Sequence, residues 1–175
     1  CKSLLSPLLC LCRCRWVICL CNYNLCWPDG KRLYFSSDMP GTNGMSDLWY
    51  VDILGNDKYG VPVNLGPEIN TEARESFPFI SENNNLYFSS DGRSGLGGYD
   101  IFVTPLDKDG KPGKITNLGS PTNSAKDDFG FIINENDRIG YVTSNRGGDR
   151  GRDWGLDFII FSSVKIYHHK YMKFL

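Results

Sequence analysis

Leu33-Tyr34-Phe35-Ser36-Ser37-Asp38 returns as Leu86-Tyr87-Phe88-Ser89-Ser90-Asp91, 53 residues later. Asp47-Leu48-Trp49-Tyr50-Val51 returns at the same spacing as Asp100-Ile101-Phe102-Val103-Thr104. So does Asn64-Leu65-Gly66, as Asn117-Leu118-Gly119. Phe77-Pro78-Phe79-Ile80 matches Phe129-Gly130-Phe131-Ile132 at a spacing of 52. A third copy of the Tyr-Phe-Ser-Ser-Asp run follows at Tyr141-Val142-Thr143-Ser144-Asn145, and a third Asp-led apolar run at Asp157-Phe158-Ile159-Ile160-Phe161. Five landmarks at one period mark an internal repeat, which is read before any local propensity.

Each unit is built of short aromatic or β-branched runs, at 33–36, 47–52, 62–65 and 76–80 in the first. Turn chemistry separates them. Pro28-Asp29-Gly30-Lys31, Glu82-Asn83-Asn84-Asn85 and Asn134-Glu135-Asn136-Asp137 stand in the same place before the Tyr-Phe run. Asp-Gly and Asn tolerate the positive φ such turns need. Gly-rich loops at 39–46, 92–99 and 146–156 hold a second common position. No stretch carries a 3.6-residue apolar period long enough for a helix. Four short strands in about 50 residues is the pattern of a β-propeller blade. The expected fold is all-β, with about two and a half four-stranded antiparallel units. Propellers close with about four to eight blades, so the expectation is a fragment of a larger one.

Composition divides the 175 residues into three zones. All 20 acids lie between Asp29 and Asp157, with 13 of the 19 basic residues. All 7 Cys lie at or before Cys26, and both His are at His168 and His169. Residues 1–26 are expected outside the fold, 27–161 form the repeat region, and 162–175 form a basic tail outside it. The first zone has Lys2 and an apolar run like a secretory signal, but no small-residue cleavage site. Cys10, Cys12 and Cys14 alternate too closely for paired zinc ligands, and no His is near them. The segment reads instead as an off-frame or mis-joined translation. No apolar run reaches the ~18 residues of a membrane-spanning helix, so no transmembrane segment is expected. A net charge of −1 argues against a nucleic-acid partner.

Phe35-Ser36-Ser37-Asp38, Phe88-Ser89-Ser90-Asp91-Gly92-Arg93, Gly97-Gly98-Tyr99-Asp100-Ile101-Phe102 and Thr143-Ser144-Asn145-Arg146-Gly147-Gly148 resemble the WD-like propeller repeat of the TolB kind. Asn-Leu-Gly-x-x-x-Asn, at 64–70 and 117–123, is similar to the longer repeat of OmpA-family, peptidoglycan-associated envelope lipoproteins. The resemblance implies a non-catalytic binding scaffold of a Gram-negative-type envelope, periplasmic or outer-membrane-associated. It implies an envelope protein or peptidoglycan-associated partner. The alternatives are the propeller portion of a prolyl-oligopeptidase-like peptidase without its catalytic domain, and a glycan-binding lectin-like propeller.

No catalytic residue, metal ligand or cofactor site is expected. Ser94 has Leu96 where a nucleophile elbow needs Gly, and both His lie in the tail. Asp107-Lys108-Asp109-Gly110-Lys111 departs from a calcium loop and reads as a polar hairpin turn. Asp47, Asp100 and Asp157 head the same strand in each unit, and the paired hydroxyls Ser36-Ser37 and Ser89-Ser90 recur in the same way. Recurrence in every unit argues for turn caps over a ligand set. What differs between units is the 146–156 loop, three residues longer than its counterparts. Its Arg146, Arg150, Arg152 and Trp154 are the expected partner-binding residues, of types enriched at interface hot spots.

Overall fold

The computed structural model describes residues 30–56, 58–136 and 139–146 in full, and the backbone of Asp157–Ser162 and Lys165–His168. Among them every regular element is a strand. The first sheet holds β1 (Arg32–Ser37), β2 (Asp47–Gly55), β3 (Lys58–Tyr59) and β4 (Val63–Asn64). The second runs in chain order through β5 (Glu75–Ile80), β6 (Asn85–Ser90), β7 (Asp100–Pro105) and β8 (Thr116–Asn117). The third holds β9 (Asp128–Asn134), β10 (Ile139–Ser144), β11 (Asp157–Ser162) and β12 (Lys165–His168). All pairings within the sheets are antiparallel.

Three four-stranded sheets replace the expected two and a half units. The third gains its outer strand from β12, which lies in the 162–175 stretch placed outside the repeat. A strand is recruited by backbone pairing with β11, such as Ile160 opposite Tyr167, and that pairing leaves no repeat signature in side chains.

The repeat is visible in the ladders. Leu33–Ser37 face Val51–Asp47 in the first sheet as Leu86–Ser90 face Thr104–Asp100 in the second. Consecutive sheets are tied where the chain crosses between them. Glu75 N–H donates to Ser46 C=O at 2.9 Å, and 53 residues on Asp128 N–H donates to Tyr99 C=O at 2.8 Å.

The middle sheet is apolar on both faces, and alternation assigns each residue to one neighbour. Leu86, Phe88 and Phe102 pack with Tyr34 and Leu48 of the first sheet. Tyr87, Ile101 and Phe79 pack with Phe131 and Val142 of the third. This is why Leu86–Ser90 is buried throughout, with no outward polar alternation. Each such Leu or Phe contributes about 1.5–3 kcal/mol of burial. At one edge of the second interface, Glu135 of the β9–β10 turn accepts hydrogen bonds from Tyr87 Oη at 2.7 Å, Asn85 Nδ2 at 2.9 Å and Asn83 Nδ2.

A bulge interrupts the first strand of the second and third sheets. Ser76 pairs with Ser89 and Phe79 with Tyr87, so Phe77 and Pro78 share one partner position. Phe129 pairs with Thr143 and Ile132 with Tyr141, so Gly130 and Phe131 do the same. The ladder therefore equates Phe77 with Gly130, at 53, and Ser76 with Phe129. The spacing of 52, which matches Phe77 to Phe129, is an identity match one step out of register.

Candidate functional site

The repeated polar residues are consumed by the fold. Asp47 accepts from the backbone N–H of Asn43 at 2.7 Å and of Gly44 at 3.2 Å, and from Asn64 Nδ2 at 2.7 Å. Asp100 does the same with Leu96 N–H, Gly97 N–H and Asn117 Nδ2. Both carboxylates are fully buried. They close the loops before β2 and β7, as expected of turn caps. The side chain of Asp157 lies outside the described residues.

The Asn-Leu-Gly-x-x-x-Asn motif has an equally local purpose. Asn70 Oδ1 accepts from Leu48 N–H at 2.8 Å while its Nδ2 donates to Leu48 C=O at 3.0 Å and to Asn64 Oδ1 at 2.8 Å. Asn123 repeats this on Ile101, at 2.8, 2.9 and 2.7 Å to the corresponding atoms. A side-chain amide thus presents one donor and one acceptor to the strand, as a neighbouring backbone would.

A second repeated pair escaped the sequence reading. Glu75 is fully buried and accepts from Thr71 N–H and Oγ1, both at 2.8 Å, and from Ser90 Oγ at 2.6 Å. Asp128, 53 residues on, is also fully buried and accepts from Ser124 N–H at 2.6 Å and Oγ at 2.8 Å. Its other oxygen accepts from Arg146 Nη2 at 2.6 Å. Thr71 and Ser124 are themselves 53 apart, so the signal was present. The Glu-to-Asp exchange hid it.

Arg146 is accordingly a structural residue. Its guanidinium donates to Pro121 C=O, Thr122 C=O, Ser144 Oγ and Asp128. Arg93 makes the matching contact with Glu68 and Ile69 carbonyls. Burial holds the Arg93 guanidinium below its usual value, against the pull of Glu75. Arg146, expected among the partner-binding residues, has its donors engaged by a buried carboxylate, a hydroxyl and two carbonyls. Arg150, Arg152 and Trp154 lie outside the described residues. Asp107 is also local, accepting at 2.9 Å from both Asp109 and Lys111 N–H.

One cleft of about 440 Å³ opens among the three sheets. It is lined from all three sheets, by Ser36 and Ser37 of β1, Ser76 and Phe77 of β5 and Phe129 of β9. Asp38, Met45, Arg74, Tyr99 and Asp127 come from the adjoining loops. The Phe77 and Phe129 rings stack at 5.0 Å between centroids, and Tyr99 meets Phe129 edge-on at 6.5 Å. Burial raises the Tyr99 phenol above its ordinary value, with a hydrogen bond to Ser76 opposing.

Phe77 has φ of 54°, and Gly130 at the same step has φ of 63°. Left-handed backbone is free for Gly and costs a side-chain-bearing residue about 1–2 kcal/mol. A bulky aromatic there is a genuine outlier.

No protein-family model, curated protein or solved structure matches the chain. Among the described residues no helix is long and apolar enough to cross a membrane.

Proposed function

We propose that the chain is a non-catalytic binding scaffold of the β-propeller kind, with its ligand site in the cleft where the three sheets meet. Phe77 carries the reading. Gly130 shows that the bulge needs no side chain, so the strained residue in the second sheet is not required by the fold. What Phe77 adds is a ring on the cleft wall. Strain held by a well-determined surrounding is characteristic of ligand clamps. The volume lies within the range of small-ligand sites, and the lining combines aromatic surface with a few polar groups, as such sites do.

The propeller assignment is supported by three consecutive sheets of one repeat, stacked face to face. The resemblance to TolB-type repeats supports a periplasmic or outer-membrane-associated setting and an envelope protein or peptidoglycan-associated partner. A fragment-library screen by saturation-transfer NMR tests the site. Ligands that perturb Tyr99 and Phe129, and are lost in Phe77→Gly, support it. Hits mapping elsewhere, or unchanged by Phe77→Gly, remove it.

A further inference from the structure

We infer that the cleft takes a cationic group, an ammonium or guanidinium carried on a basic peptide side chain; this rests on the cleft being the binding site. The charges of the lining are unevenly satisfied. Arg74 is neutralised by Asp91, with Nη1 to Oδ2 at 3.0 Å and the Arg74 N–H on Oδ1 at 2.7 Å. Asp127 occupies the position equivalent to Arg74, but its partners are uncharged. It accepts from Tyr99 N–H at 3.1 Å and Asn145 Nδ2 at 2.8 Å, and no cation pairs with it among the described residues. Asp38 is the repeat counterpart of Asp91 and Asn145. It is exposed, and its carboxylate has no hydrogen-bond partner among the described residues.

Two carboxylates without a cationic partner among the described residues therefore line the cleft together with three rings and an exposed methionine. A ring face and a carboxylate both favour a cation, and a long aliphatic stem suits Met45 and the Phe77 edge. Among the described lining residues the cation that could answer an anionic ligand is Arg74, which is already paired with Asp91.

The test titrates a blocked Ala-Lys-Ala tripeptide, its isosteric norleucine counterpart, agmatine and maltose, following Tyr99 and Phe129 resonances by NMR. The lysine peptide is expected to bind and the norleucine peptide not, with affinity falling as salt rises. Agmatine binding as well as the peptide identifies a free cation as sufficient. Weaker agmatine binding identifies the peptide as the source. Asp38→Asn, at an exposed residue without hydrogen-bond partners among the described residues, should weaken the lysine peptide about tenfold and leave folding intact. Failure of the lysine peptide and agmatine to bind overturns the inference. So does equal binding of norleucine or maltose; if that binding is lost in Phe77→Gly, the cleft stands as a site and only its cation preference falls.

Discussion

Asn70 brackets Leu48: its side-chain oxygen accepts from the Leu48 amide at 2.8 Å and its nitrogen donates to the Leu48 carbonyl at 3.0 Å. Leu48 and Asn70 are both essentially inaccessible to solvent. Truncation would orphan a buried donor and a buried acceptor together, each costing about 1–3 kcal/mol. Asn70→Ala is therefore expected to lose about 2–4 kcal/mol in urea unfolding, and Asn123→Ala the same through Ile101. A loss below about 1 kcal/mol would show that water replaces the amide and that the motif is not a strand clamp.

Phe77→Gly relieves left-handed strain but gives up ring packing and adds chain entropy. These terms are each about 0.5–2 kcal/mol and oppose one another. Stability should change by no more than about 1 kcal/mol. Gly130→Ala has no such compensation, because φ is 63° and the new Cβ would come to 3.4 Å from Thr143 Oγ1. It should cost about 1–2 kcal/mol. If Phe77→Gly instead unfolds the chain, the ring is core, and the cleft loses its main support.

Arg146→Ala leaves the fully buried Asp128 with only its Ser124 donors. A loss of about 2 kcal/mol is expected in denaturant unfolding, since the deleted bond is charge-assisted. Wild-type stability in this variant would return Arg146 to the list of residues available to a partner.

Glu135 and Tyr34 contribute to opposite limbs of the pH profile, and burial raises the Tyr87 and Tyr99 phenols on the alkaline side as well. Burial raises Glu135, but hydrogen bonds from Asn85, Tyr87, Ser81 and Asn83 outweigh it and hold the carboxyl below its usual range. A depressed carboxyl contributes stability above its unfolded pKa of about 4.3, and loses it as pH falls through the folded value. Glu135→Gln should therefore flatten the acid limb of stability below about pH 4–5. Burial pushes the Tyr34 phenol up to about 12, with Arg32 opposing. Its contribution is complete below the unfolded value of about 10 and is lost between about pH 10 and 12. Tyr34→Phe should remove its share of the alkaline limb, the part left by Tyr87 and Tyr99 remaining. Thermal unfolding across pH reads both, and an acid limb unchanged in Glu135→Gln would count against the inter-sheet network.

The repeat, the strands and most of the turns were legible in order along the chain. They depend on local pattern: short aromatic or β-branched runs, Asn and Asp-Gly turns, and landmarks at 53. The capping of Asp47 and Asp100 was legible for the same reason, because a residue that recurs in each unit serves each unit. Glu75 and Asp128 were missed only because their identities differ. The tail strand Lys165–His168 was missed because pairing uses backbone, which carries no sequence signature.

The sequence by itself determined the class of structure, a series of small antiparallel sheets, since strand-forming runs and turn residues act within a few positions. Only the tertiary structure decided which residues are left over for function. Arg146 stood out along the chain, yet three-dimensional neighbours claim its donors. Asp38, Phe77, Tyr99 and Asp127 stood apart in sequence, yet stacking brings them to one cleft. The bulge register that equates Phe77 with Gly130 is set by ladder geometry. Strain at Phe77 is a property of a backbone angle, and the spacing of residues along a chain does not encode it.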